Sequence, residues 1–172
     1  MGGMSKCIRD GMARFQHVFL LGWVALLAVV FALVEIQIEG AAGWAANLPT
    51  WRIEGHPLLD IFWGGRAMTG YHLYVFLFMF LVFHLPFFIC GRFSLKLEAR
   101  AIGCLMMFWL VEDFMWFVIN PAFGFGRFDP EHAPWHRHWA LGVPTDYLVF
   151  IVLGAGLIWY SYRGHPGPSR KE

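Results

Sequence analysis

Val18 to Val34 runs without a single charged or amide side chain, and it becomes a full membrane span if Phe15 to Ile38 is helical. An ordinary soluble domain does not accommodate such a run in a chain of 172 residues that is 58% hydrophobic and 15% charged. Three more apolar stretches follow: Leu73 to Cys90, interrupted near its end by Pro86; Ala101 to Ile119, closed by Asn120-Pro121; and Tyr147 to Tyr162. The expectation is an all-α integral membrane protein with helices at about 15–38, 71–90, 101–119 and 146–162, forming one transmembrane domain. Two long loops, Gly40 to Gly70 and Asn120 to Thr145, carry Trp and Gly in segments that read as interfacial or re-entrant helices, whereas the middle connection, Gly91 to Arg100, is short.

A cleaved signal peptide competes for the first span, since small residues follow at Gly40 to Ala46. The apolar run is longer than a usual signal core, and Glu35, Gln37 and Glu39 interrupt the approach, so the segment is read as uncleaved. Orientation follows from the basic residues. Nine of them (Lys6, Arg9, Arg14, Arg92, Lys96, Arg100, Arg163, Arg170, Lys171) lie in the N-terminus, short loop and tail, against four (Arg52, Arg66, Arg127, Arg137) in the long loops. That split puts both termini in the cytoplasm of a cell (inner) membrane and the long loops outside.

The acids are distributed the other way. Glu112 and Asp113 are adjacent in the outer half of the third span, Glu35 and Glu39 end the first, and Asp146 opens the fourth. Carboxylates in an apolar span are costly and by default mark a functional site. Glu35 and Glu39 are spaced i, i+4 and share a face. Glu112 recurs with Trp116 and Asn120 at the same spacing, while Asp113 points about 100° away, so only one of the two neighbouring acids is expected to meet the first helix. His72 starts the second span at the same depth, and FDPEHAPWHRHW supplies His132, His136 and His138.

Imidazoles and carboxylates together suit a transition metal: Fe, Zn, Mn or Cu. The expected ligands are Glu35, Glu39, His72, Glu112, His136 and His138, with Asp113 or Asp146 as orienting acceptor or general base. The expected function is a metalloenzyme acting on a lipid or another apolar molecule, the metal activating water for hydrolysis or binding oxygen for oxidation. His132 and Asp129 are expected to be ordinary surface groups. Glu35, Glu39 and Glu112 could instead pair with loop arginines, which would make the protein a structural or assembly subunit without a cofactor. A haem or redox carrier using His17 and His84, or His72 with a loop histidine, is the other alternative.

Recognisable motifs are few. The Glu-x-x-His di-iron signature is absent, since Ile38, Ala42 and Met115 stand three residues after Glu35, Glu39 and Glu112, and the single histidine cluster falls short of the several histidine boxes of membrane desaturases. No H-E-x-x-H, nucleophile elbow or P-loop occurs. Cys7, Cys90 and Cys104 are too scattered for a disulfide framework. The net charge of +1 gives no reason for a nucleic-acid partner, and membrane lipids, an apolar substrate and a second copy of the chain are the expected partners. Transport is not expected, because the inner halves of the spans offer almost no polar groups besides His84.

Overall fold

The computed structural model describes the backbone of residues 2–62 and 65–163 and the side chains of residues 15–59 and 65–163. The side chains of Lys6, Arg9, Arg14 and Asp60 to Phe62, and all of Trp63, Gly64 and the tail with Arg170 and Lys171, lie outside the described residues.

The chain is mostly helical, and four helices are long and apolar enough to cross a membrane: α1 (Gly2–Glu39, of which Phe15–Glu39 is the apolar part), α3 (Gly70–Cys90), α4 (Leu95–Ile119) and α5 (Thr145–Tyr162). A short helix, α2 (Pro57–Phe62), lies in the first long loop, and a 3-10 turn, Phe125–Arg127, lies in the second. Each long loop also forms a two-stranded antiparallel ribbon. β1 (Arg52–Ile53) pairs with β2 (Met68–Thr69), and β3 (Trp139–Ala140) pairs with β4 (Val143–Pro144). The second ribbon turns through Leu141 and Gly142, both at positive φ, the geometry that matches strand twist in a two-residue hairpin.

Helix α4 begins earlier than its apolar run suggests. Ser94 accepts a hydrogen bond from Leu97 N at 3.2 Å, and Glu98 in the first turn complements the helix dipole. The connection from α3 is correspondingly tight, with Gly91 at φ 59 closing α3. Pro86 does not break α3, which continues to Cys90. At the other end Asn120 closes α4, its side-chain amide donating to Gly40 O at 2.9 Å and its Oδ1 accepting from Ala122 N at 3.0 Å.

α4 packs most extensively on α5 and α1 and much less on α3. On α1 the contact stripe is Val24, Ala28, Ala32 and Ile36, one residue per turn, with alanines that let the helices approach closely. On α4 it is Ala101, Cys104, Phe108, Glu112 and Trp116. α5 meets α4 at Gly154 and Gly103: a Cβ on Gly103 would stand 2.8 Å from Gly154 O and 2.8 Å from Ile158 Cγ1. The apolar core has two layers. One is built on Val24, Ala28, Met79, Cys104 and Phe108, the other on Ala32, Ile36, Trp116, Phe117 and Ala133. Glu112 falls one turn above Phe108 and one turn below Trp116, so the helical period itself places a carboxyl group between the layers.

Candidate functional site

The buried carboxyl groups occupy the end of the bundle that carries the long loops. Glu112 is 3% exposed, Glu35 7% and Glu39 9%. The carboxyl groups of Glu35 and Glu112 adjoin each other, and Tyr71 donates its hydroxyl to Glu35 Oε1 at 2.9 Å. Glu39 Oε1 accepts from Ala45 N at 2.5 Å. That contact holds a turn in which Gly43, Trp44 and Ala45 all have positive φ, a conformation costly for the two residues that carry a Cβ. Gly43 is glycine for a second reason: a Cβ there would lie 2.5 Å from the Trp135 ring.

The turn delivers Trp44 over the site. Its ring stacks on His72 at 3.9 Å between centroids, its Nε1 donates to Ala67 O at 2.8 Å, and the Arg66 guanidinium lies over the ring at 5.0 Å from its centroid. His72 is set by the α3 cap. Thr69 Oγ1 accepts from His72 N at 3.1 Å and lies 2.7 Å from Nδ1, which leaves Nε2 directed toward Glu39 Oε1 at 3.8 Å.

Asp113 points elsewhere, as the 100° step requires, into a second group. Tyr147 donates its hydroxyl to Asp113 Oδ2, and His136 Nε2 lies 3.1 Å from the same oxygen. Arg66 pairs with Asp146, contacts His136 Nδ1 at 2.5 Å and donates from Nε to Trp135 O at 3.1 Å. Because a guanidinium only donates, His136 Nδ1 accepts, and the ring proton stands at Nε2 facing Asp113. Burial alone would push His136 down, but Asp113 and Asp146 outweigh it and Arg66 together, so the imidazole is held above its ordinary value. A second proton, at Nδ1, would exchange the Arg66 contact for Asp146 Oδ2, 3.5 Å away.

Both groups open onto one cavity of about 610 Å³, within the range of small-molecule sites. Its loop end is lined by Glu35, Glu39, His72, Glu112, Asp113 and Asp146, with Arg66, Trp44, Trp116 and Tyr147. From there it descends between α3 and α4 along Phe76, Leu77, Phe80, Trp109, Leu105 and Ile102, a wall without polar side chains. Ile102 lies about 15 Å below Glu112 along the helix axis, roughly half of a hydrocarbon core of about 30 Å.

The structure therefore gathers Glu35, Glu39, His72 and Glu112 at the head of the cavity and sets Asp113, His136 and Asp146 beside them. His138 stands apart. It is exposed, and its backbone carbonyl accepts from Thr145 N at 2.9 Å. Asp129 and His132 form an exposed local pair at 2.9 Å, and the hydrogen bonds from His132 side chain and backbone hold the Asp129 carboxyl below its usual range. Among the described residues, no three His, Cys, Asp or Glu side chains are arranged to hold one metal ion. Asp113 and Asp146, for instance, approach opposite nitrogens of His136 and cannot share an ion with it. Three of the loop arginines are engaged with other groups: Arg66 serves Asp146, Arg52 donates to Trp44 O and Ala45 O, and Arg127 donates to Ala122 O.

At the opposite end His84 is not alone. Its Nδ1 contacts Phe80 O at 2.7 Å and its Nε2 contacts Glu98 Oε1 at 3.0 Å, a partner supplied by the early start of α4. A haem ligated by His84 would have to displace one of these. His17 packs on the Tyr162 ring at 3.6 Å.

Arg66, Trp44 and Tyr147 reach the site by routes that sequence spacing does not reveal. Tyr147 alone had a local signal, an aromatic hydroxyl next to Asp146 at the mouth of a span. Compared with known protein families, curated proteins and solved structures, the chain matches none.

Proposed function

We propose that this is a membrane protein that binds an amphipathic, lipid-like molecule within the bilayer, its apolar chain between α3 and α4 and its head among Glu35, Glu112, Tyr71 and His72. The cavity carries this reading: its polar groups are confined to one end and the rest of its wall is apolar and aromatic. Substrate enters from the side of α3, where the packing on α4 is sparse, and chemistry on the head group would fall to Asp113 and His136, which already face one another across a hydrogen bond.

The test is quenching of tryptophan fluorescence by a doxyl-labelled fatty chain in detergent, since Trp109 stands in the apolar wall. Saturable quenching that is lost in Leu105→Trp, which fills the slot, is expected. Quenching that grows linearly with probe and is indifferent to Leu105→Trp would refute the reading.

A metal ion is the second reading: Glu35, Glu39, Glu112 and His72, which do not share an ion in the arrangement described above, would have to close around it as ligands, making the protein a metalloenzyme for an apolar substrate. It is favoured by Glu112 Oε1, a buried oxygen without a hydrogen-bond partner beside two further carboxyl groups. Elemental analysis of protein purified without added metal decides it: stoichiometric Fe, Zn, Mn or Cu that falls in Glu112→Ala supports it, and metal-free protein that still binds the chain sinks it.

A further inference from the structure

Among the described residues, two buried polar atoms at the head of the cavity have no hydrogen-bond partner: Glu112 Oε1, which can accept, and Trp116 Nε1, which can only donate. Both residues line the cavity, and both are more than nine-tenths buried, at 3% and 4% exposure. They are one turn apart on α4, so they share a helix face with their Cβ atoms about 5–6 Å apart. A hydroxyl is the simplest group that meets both, its proton donated to the first and its lone pair accepting from the second, in hydrogen bonds of about 2.8–3.0 Å each. Leaving such groups unmet costs roughly 1–3 kcal/mol apiece, so they discriminate sharply for whatever satisfies them.

Charge narrows the choice. Among the described residues, five carboxyl groups line this end of the cavity, from Glu35, Glu39, Glu112, Asp113 and Asp146, and Arg66 is the one guanidinium in the lining. That guanidinium is committed to Asp146, His136 and Trp135 O. A fatty acid or a phosphate-bearing head would set a further anion among these groups without a cation to meet it. An ammonium would satisfy Glu112 but has no lone pair for the Trp116 N–H.

We infer that the head group seated here is the uncharged hydroxyl of a long-chain alcohol, donating to Glu112 Oε1 and accepting from Trp116 Nε1. The inference rests on the cavity being a chain-binding site and names the class of molecule it takes. The hydroxyl sits at the top of the slot beside the Glu35–Glu112 pair, and the chain runs down past Trp109 toward Ile102. Anionic lipids, which share the chain but not the head, are excluded by the carboxyl groups around it.

Competition against the doxyl-labelled chain tests this with hexadecanol, hexadecylamine, palmitate and hexadecane. The expected order is hexadecanol strongest, hexadecylamine next, then hexadecane, with palmitate weakest. Trp116→Phe keeps an aromatic ring and removes the N–H. It should weaken hexadecanol about tenfold, the worth of roughly one buried hydrogen bond, and leave hexadecane unchanged. A thermal midpoint at or above that of the native protein shows that the variant is folded. If Trp116→Phe binds hexadecanol as the native protein does, or if palmitate or the amine competes better than the alcohol, the head-group inference is wrong while the chain site stands. If no chain competes with the probe, both fail.

Discussion

Replacing Glu112 by methionine should make the protein more stable while abolishing its preference for an alcohol head. Glu112 is 3% exposed between two apolar layers, its Oε1 is unpartnered, and its neighbour Glu35 retains the Tyr71 hydroxyl when Glu112 is gone. An unsatisfied buried acceptor costs about 1–3 kcal/mol, and an apolar side chain of similar length recovers most of it. The loss of the contact with the Glu35 carboxyl group offsets part of the gain. A net gain of about 2 kcal/mol corresponds to a rise of roughly 4–8 °C in Tm for a chain of this size. The assay is thermal unfolding in one detergent followed by tryptophan fluorescence, with Glu112→Gln as the polar control. A fall in Tm by several degrees in Glu112→Met would mean that the carboxyl is a structural element held by a cation, and would refute the reading of Glu112 as an acceptor kept for a ligand.

Gly103→Val should destabilise by roughly 1–3 kcal/mol through overpacking, because even a Cβ meets Gly154 O at 2.8 Å, whereas Gly156→Ala, with open space around it, should not lower Tm at all. The pairing of His136 with Asp113 and Asp146 raises its proton affinity on folding, so its contribution is complete below an ordinary imidazole value of 6.5 and is lost as pH rises through the elevated one. The Tm of the native protein should therefore decline on that alkaline side and that of His136→Gln should not; parallel profiles would remove His136 as the titrating group. Single cysteines introduced at Trp51 and Asp129 should react with an impermeant label applied outside intact cells, and one at Lys96 should not. Labelling at Lys96 would invert the orientation read from the basic residues.

The four long helices could be read from apolar runs alone, yet α4 begins at Leu95 rather than near Ala101. Lys96, Glu98 and Arg100 lower the hydropathy of its first turns while Ser94 caps them, and a capped amphipathic turn is invisible to an apolar count. That same turn supplies Glu98 to His84, which is why the histidine looked solitary in the sequence. The divergence of Glu112 and Asp113 was legible because it depends only on the helical period. The distinction between His136 and His138 was not: in a loop, spacing does not say which of two alternate residues turns inward, and here the contacts of His136 with Asp113 and Arg66 decide it. Arg66 and Trp44 are tied to the site by contacts with residues far along the chain, a kind of information that local pattern does not contain.

Helix α3 has few buried positions, Gly70, His72, Met79 and His84, and its packing on α4 is sparse compared with that of α1 or α5. A helix secured mainly at its ends, by the Thr69 cap with the first ribbon and by the tight connection at Gly91, has the surrounding solvent as its missing wall. On the proposed reading of the cavity as a chain-binding site within a bilayer, the bilayer would be a component of the site, and lateral pressure from the acyl chains would become a variable in its affinity. Thickening or stiffening the membrane should press α3 onto the slot and slow exchange, while short-chain detergents should loosen it. The same protein would thus measure as a weak binder in one micelle and a tight one in a nanodisc, with no change in any residue that touches the ligand.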